Sequence, residues 1–300
     1  MTHRTPHCRP GAPTRCPPDP VAPPPPLSAP PAGTARLEVA LVDGLSAVTR
    51  AFASSPLKLL VPRPRGASVW VFTSSYGGGL VAGDQTSLQL SLAPGTTAFV
   101  GTQASTKVYR NPSGRPSGHT TDAHVGRDAF LAFTPDPTQL FAQSTYRQRQ
   151  EFTLDPGASL ALVDSFTPGR VARGEAWSFH HFSSRNLIRA SGRTLCLDSL
   201  RFDPDEGPMA DPFRGGRHGC FSTLILVGPR LRDAAQQLLS EVAARPVTQR
   251  APTVVAASPL ADGAIARIAG ANTEAVGAEL RRWLAPISSL LGDDPWRRKW

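Results

Sequence analysis

The sequence has few charged residues and no apolar run long enough to cross a membrane. Charged residues make up 18% of its 300 residues, and apolar stretches such as Phe221 to Val227 are short. A membrane-spanning helix needs roughly 20 consecutive apolar residues. With 40% hydrophobic residues and a mean hydropathy of -0.19, the composition is typical of a soluble globular protein and excludes a transmembrane helical protein, collagen and a long coiled coil.

Cysteine is also scarce. Only Cys196 and Cys220 follow residue 33, which excludes a disulfide framework. No apolar segment follows the N-terminal arginines, so a signal peptide is not expected. We therefore predict a cytoplasmic protein.

Several catalytic motifs are missing. The sequence has no GxxxxGK[ST] phosphate-binding loop, no GxSxG, no HExxH and no paired CxxC, so nucleotide hydrolysis by this chain itself is not expected. The Gly-rich segment from Tyr76 to Asp84 resembles a dinucleotide loop only loosely. An alternating segment follows it instead of the helix that a Rossmann site requires. His180 and His181 are adjacent in a predicted strand, so their rings face opposite sides and do not chelate a metal together.

Proline and positive charge are the abundant features. Twelve of the 31 prolines lie in residues 1–33, which predicts a disordered Pro-rich extension over residues 1–34 and a single domain over residues 35–300. The net charge is +9, with 29 arginines and three lysines. Because the arginines are scattered, this charge suits an acidic protein partner and a polyanion equally well.

Residues 35–228 alternate between apolar and polar side chains with period two, which predicts a β-rich region. The clearest predicted strands are 37–42, 69–73, 86–92, 159–164, 186–190, 194–200 and 221–227. Residues 229–300 predict a mixed α/β part, with amphipathic helices over 229–245 and 272–287, a short strand over 253–257, and Asn272 or Thr273 as a helix N-cap. We expect both helices to pack on the edge of the sheet.

A weak repeat suggests stacked β coils. Gly95, Gly126, Gly157 and Gly192 each precede two mostly polar residues and an apolar strand, at spacings of 31, 31 and 35 residues. Regular turn-then-strand units are typical of layered or β-helix-like folds. The predicted fold class is therefore mainly β, with layered or β-helix-like stacked strands and a few C-terminal α-helices.

Acidic residues recur within or beside the predicted strands, at Asp84, Asp164, Glu175 and Asp198. A lone buried carboxylate is costly without partners or water. Inward-facing carboxylates therefore leave three interpretations open, namely a hydrolase, a hydrated ion path, and salt bridges to the many arginines. For Asp84, a turn-capping role is a further alternative.

A set of motifs in a fixed order resembles the UreD (UreH) family of urease accessory proteins. The segment Tyr76-Gly-Gly-Gly-Leu-Val-Ala-Gly-Asp84 precedes an alternating strand, then LAPG at 92–95 and TQASTKVYR at 102–110. The likeness continues through Pro135-Asp-Pro137, LxPG at 154–157 and GRVARGE at 169–175. It covers residues 36–200 well and the C-terminal part more loosely.

The resemblance implies a mainly β protein without enzyme activity. It implies a scaffold that binds urease apoprotein and, with a UreF-type protein and a UreG-type GTPase, inserts nickel supplied by a UreE-type chaperone. Nickel is then a transient passenger, and no tight metal site, nucleic-acid partner or membrane partner is expected. The resemblance places Asp84, Thr106, Asp164 and Asp198 at positions suited to a nickel passage or weak metal contact. Residues with a structural or partner role are Gly78, Gly79, Gly83, Lys107, Tyr109, Arg110, Arg170 and Glu175.

Two alternatives stay open without the resemblance. One is a basic, β-rich module that binds a polyanion, for which we expect steeply salt-dependent binding. The other is a β-solenoid carbohydrate hydrolase that uses Asp164 and Asp198 as a carboxylate pair. Neither alternative explains why the Gly-rich, TKVYR and GRVARGE segments occur together in this order.

Overall fold

The computed structural model describes residues 31–63, 66–246, 248 and 251–298, so the predicted Pro-rich extension lies almost entirely outside the described residues. The described strands are β1 Thr34–Val42, β2 Leu45–Ala53, β3 Leu57–Leu60, β4 Val69–Ser75, β5 Gly79–Leu80, β6 Gln85–Leu92, β7 Thr97–Thr102, β8 Lys107–Val108, β9 Ser117–Val125, β10 Phe130–Phe133, β11 Thr138–Leu140, β12 Thr145–Leu154, β13 Ser159–Thr167, β14 His181–Ala190, β15 Arg193–Phe202, β16 Cys220–Val227, β17 Thr253–Leu260 and β18 Gly263–Gly270. The α-helices are α1 Arg232–Ala243 and α2 Thr273–Leu291, and short 3₁₀ helices lie at Tyr76–Gly78, Val171–Arg173, Pro204–Glu206, Pro229–Leu231 and Pro295–Arg298.

The strands form two sheets. The first has the order β15-β14-β12-β9-β6-β1-β2, and the second has the order β17-β18-β16-β13-β10-β7-β4-β3, with β11, β8 and β5 extending from β13. The chain passes repeatedly from one sheet to the other, and β6, β9, β12 and β14 pair in parallel, as do β4, β7, β10 and β13. These stacked coils confirm the predicted β-helix-like fold class.

The glycine repeat reflects the coils only in part. Thr97, Phe130 and Ser159 are aligned across β7, β10 and β13, and the residues two positions earlier are Gly95, Asp128 and Gly157, all with positive φ. Asp128, with φ of 57°, therefore occupies the turn position that the repeat assigned to Gly126.

The remaining repeat glycines have other roles. The position of Gly126 requires glycine, because a Cβ there would lie 2.6 Å from the carbonyl oxygen of Leu92. Gly192 lies in the hairpin between the antiparallel strands β14 and β15, not in a coil. The predicted fourth repeat unit was therefore wrong.

The core has two main layers. Between the sheets, aliphatic side chains of both sheets form one buried cluster, which includes Leu37, Leu90, Leu131 and Leu162. On the outer face of the second sheet, a second cluster joins that sheet to α1 and α2. We expected the helices on the edge of the sheet, but they pack on its face. The reason is that their apolar sides need the wide surface that several strands provide.

Helix α2 begins as the sequence predicted. The Asn272 side chain accepts a hydrogen bond of 2.9 Å from the Ala275 amide, as an N-cap residue does. The helix ends at Gly292, which has φ of 77°. Among the described residues, no helix is both long and apolar enough to cross a membrane.

Candidate functional site

The space between the sheets changes character along the strands. On β13 the inward side chains run from Leu160 and Leu162 in the aliphatic core, through Asp164, to Phe166 in an aromatic cluster. On β12 the same sequence runs from Phe152 through Gln150 and Gln148 to Tyr146. A polar layer therefore crosses the interior between two apolar ones, and we call it the polar belt. Its main members are Thr86, His119, Thr121, Gln148, Gln150, Asp164, Ser184 and Asn186.

Asp164 lies at the centre of the polar belt and is 7% exposed. Its carboxylate accepts hydrogen bonds from Gln148 Nε2 at 3.0 Å, Asn186 Nδ2 at 2.9 Å and Ser184 Oγ at 2.5 Å. Burial raises the pKa of Asp164, and the nearby Asp198 charge adds to the rise, although the three hydrogen bonds oppose it. The site therefore holds a carboxyl that a positive charge would help to ionise.

A cavity of about 100 Å³ lies along the polar belt. Its inner wall includes Asp164, Gln148, Gln150 and Tyr146, and its other end is formed by loop residues that include Thr106. Burial, with the neighbouring Asp164, raises the pKa of Tyr146, so the phenol stays protonated. The volume is sufficient for a few water molecules, and the lining oxygens suit a hydrated cation.

His119 also lines this cavity, and sequence analysis did not single it out. Its ring nitrogens lie 2.8 Å from Thr86 Oγ1 and 3.1 Å from Thr121 Oγ1. Burial lowers the pKa of His119 to about 4, so the imidazole is neutral at physiological pH, although it keeps some accessible surface. No local sequence signal distinguishes this histidine, because polar side chains occupy both faces of the strand over residues 117–125.

Asp198 lies close to the polar belt but outside the cavity lining. Its side chain is 0% exposed and pairs with Arg267, whose side chain is 55% exposed. Asp198 faces Asn186 across the β14–β15 pair, and its Oδ2 has no hydrogen-bond partner among the described residues. The ion-pair interpretation of the acidic residues therefore describes Asp198. It also describes Glu175, which pairs with Arg170.

Asp84 closes the Gly-rich turn. Its Oδ2 accepts a hydrogen bond of 2.9 Å from the Val81 amide, and its carbonyl oxygen accepts one of 2.8 Å from Gly118. Asp84 is not among the cavity-lining residues, so the structure brings together Thr106 and Asp164 but places Asp84 apart. Its contact with a metal stays a prediction.

The Gly-rich segment and the TKVYR segment are packed against each other. A Cβ on Gly79 would lie 2.4 Å from the Lys107 carbonyl oxygen, and Gly78 and Gly83 have φ of 71° and 87°. Tyr109 Oη donates to the Gly77 carbonyl oxygen at 3.2 Å, and its ring packs edge-on against Phe141. Tyr109 thus braces the loop, whereas Lys107 and Arg110 are exposed.

The metal-binding side chains of the site are weak and dispersed. Within the part of the chain that the structure describes, no three His, Cys, Asp or Glu side chains form a group that could hold a metal ion. The cavity instead offers two carboxylates, those of Asp136 and Asp164, together with one neutral imidazole and several hydroxyl and amide groups. Such donors bind a divalent transition metal less tightly than a cage of thiolates and imidazoles.

Comparison with known proteins identifies a family. The family described as UreD urease accessory protein matches residues 32–300. The chain is 42% identical to the urease accessory protein UreD of an Anaeromyxobacter species, over 89% of each chain. It is 43% identical to UreD of Sorangium cellulosum over 90% of this chain and 85% of that protein. It is 31% identical to urease accessory protein D of Arabidopsis thaliana over 88% of this chain and 99% of that protein.

Proposed function

The chain belongs to the UreD urease accessory protein family, and we propose that it acts in urease maturation as a non-catalytic scaffold that passes nickel to the apoprotein. The names of its relatives support the urease role. The observation that supports the nickel part is the cavity with a buried, hydrogen-bonded carboxylate, around which the described residues form no cage of strong ligands.

The chemistry of a passing ion supports this assignment. A metal that must leave again is best held by few, exchangeable ligands, because thiolate and multi-imidazole sites trap nickel. In the proposed path, Thr106 meets the ion near the loops, and Asp164 offers a carboxylate deeper in the interior. The incoming positive charge favours the ionised form of Asp164 and so offsets the cost of burying that carboxylate.

Asp198 contributes to this path through its charge. It raises the pKa of Asp164 and so keeps that carboxyl readier to carry a proton when no cation is present. Asp84, by contrast, sets the turn at the end of the Gly-rich segment. Its proposed contact with nickel would require the hydrogen bond to Val81 to open.

The proposal includes partners and a compartment. The sequence lacks a phosphate-binding loop, so the nucleotide hydrolysis of the assembly is assigned to a UreG-type GTPase. A UreF-type protein joins the complex on urease apoprotein, and a UreE-type chaperone supplies nickel indirectly. We place this assembly in the cytoplasm, because the described cysteines are free, buried thiols.

The hydrolase alternative gains no support from the geometry. Three donors occupy the Asp164 carboxylate, and Asp198 is fully buried and paired with Arg267. A general acid and a base must instead face a substrate within hydrogen-bond reach.

The direct test is urease activation in cells that carry the urease and accessory genes, with and without the gene for this chain. We expect urease activity and bound nickel to collapse together without it and to return when it is restored. Equal nickel content in its absence would contradict the proposal. Polyanion binding would then become the leading interpretation of the basic charge.

A further inference from the structure

Basic residues of two sequence motifs, none of them placed on the nickel path, meet at one surface pocket. Lys107 comes from the TKVYR segment, and Arg170 and Arg173 come from the GRVARGE segment. Residues 271–273, at the start of α2, form another side. The pocket has a volume of about 540 Å³, and we call it the cationic pocket.

The cationic pocket has an excess of positive charge. The described residues of its lining include three basic side chains and no acidic one. Arg170 is neutralised by Glu175 and lies over the Phe141 ring at 4.3 Å. Lys107 and Arg173 are exposed and form no salt bridge with any described residue, although the Arg173 charge helps to lower the pKa of Glu175. Two cations are therefore left to face a ligand.

An orphaned hydroxyl gives a second, independent observation. Thr167 lines the same pocket and is 7% exposed. Its Oγ1 is buried and has no hydrogen-bond partner among the described residues. A buried hydroxyl without a partner is unfavourable, and an acceptor oxygen in the pocket would satisfy it once the wall around Thr167 opens slightly.

We propose that the cationic pocket binds an acidic segment of a partner protein, with side-chain carboxylates between Lys107 and Arg173. A protein segment suits the pocket better than a small anion, because the exposed apolar Val171, 53% accessible, lies in the same lining. The segment would thus bring both negative charge and apolar surface. The inference rests on the proposed function only in that the partner belongs to the maturation assembly.

Binding of a fluorescent decapeptide of glutamate to the full chain, followed by anisotropy, tests this assignment without urease. We expect Lys107→Glu with Arg173→Glu to weaken binding about tenfold or more, as reversal of close charge pairs does. The matched control is Arg127→Glu with Arg193→Glu, which changes the net charge equally at two other exposed arginines. Equal loss in both double variants would overturn the proposal, because it would show a non-specific charge effect.

Thr167→Val distinguishes binding inside the cationic pocket from general attraction to the positive charge of the protein, because it changes a pocket side chain without changing charge. Removal of an unpaired hydroxyl should leave stability unchanged or raise it, whereas loss of its hydrogen bond to the ligand should weaken peptide binding several-fold. Unchanged binding by this variant would overturn the role of Thr167, and inorganic phosphate binding as tightly as the peptide would overturn the choice of a protein segment. Failure of peptide binding while urease activation still depends on the chain would reject this inference alone.

Discussion

Gln148 Nε2 lies 3.0 Å from Asp164 Oδ1 and joins β12 of the first sheet to β13 of the second. This hydrogen bond crosses the space that the aliphatic core fills elsewhere. The same carboxylate also bonds Ser184 and Asn186 on β14. The polar belt is therefore a connected network in which each deletion exposes buried partners.

His119 should make stability depend on pH. Because burial lowers its folded-state pKa from 6.5 to about 4, the unfolded chain binds more protons between these values. The neutral, buried His119 therefore costs no stability above pH 6.5, and the free energy of unfolding decreases as the pH falls from 6.5 toward 4. His119→Gln should make the free energy of unfolding, measured with urea, depend less on pH in this window. In the wild type this free energy should change by at most about 3 kcal/mol between pH 6.5 and 4. The change should be below that limit, because the ring keeps some accessible surface.

The control for this prediction is His124→Gln, which changes an exposed histidine on the same strand. If His119→Gln and His124→Gln give the same pH profile as the wild type, His119 is not held neutral by burial.

The Asp198–Arg267 pair should be sensitive to loss of one partner. Arg267→Met leaves a fully buried carboxylate unpaired and should lower the free energy of unfolding by about 3 kcal/mol. Arg50→Met breaks an exposed pair with Glu38 and should cost less than about 1 kcal/mol. Chemical denaturation measures both. Adding Asp198→Asn to Arg267→Met should recover much of the loss, and no recovery would contradict the ion-pair account.

Gly79→Ala should disrupt the junction of the Gly-rich and TKVYR segments. The new Cβ would lie 2.4 Å from the Lys107 carbonyl oxygen, so the backbone must move, at a cost of about 2–4 kcal/mol. In Gly277→Ala, within α2, the nearest contact is the flexible Arg281 side chain at 3.4 Å. That variant should stabilise the protein by about 0.5–1 kcal/mol. A thermal melt showing equal effects would refute the packing argument.

Asp84 needs two variants because it has two candidate roles. Asp84→Ala removes the acceptor for the Val81 amide and should lower stability by about 1 kcal/mol, whereas Asp84→Asn keeps an acceptor and should restore it. If Asp84 also contacts nickel, Asp84→Asn should reduce urease activation despite its stability. Full activation by Asp84→Asn would limit the residue to the turn.

The sequence predicted most of the β architecture because alternation and turn residues are local signals. Residues 37–42, 69–73, 86–92 and 159–164 all lie within observed strands. The turn register was harder, since Asp128 adopts the left-handed conformation usually left to glycine. Helix placement on the sheet face also depends on tertiary packing that periodicity does not encode.

The site was predicted only in part, because its members are distant in sequence. Thr106 and Asp164 line one cavity, and their contact with nickel stays a prediction. His119 was missed, since a histidine in an alternating polar strand has no signal that distinguishes its inward face. The pair of Asp198 and Arg267 is separated by 69 residues, and no local pattern connects the two.

The central claim is that nickel passes Asp164 on its way to urease, and the most direct measurement is the nickel content of urease purified from cells with Asp164→Asn. We expect this variant to remain in the complex with its partners while nickel per urease active site and activity fall together, at least tenfold. Asp155→Asn, which changes a half-buried carboxylate paired with His124, should leave both unchanged. Full nickel loading by Asp164→Asn in an intact complex would contradict the account.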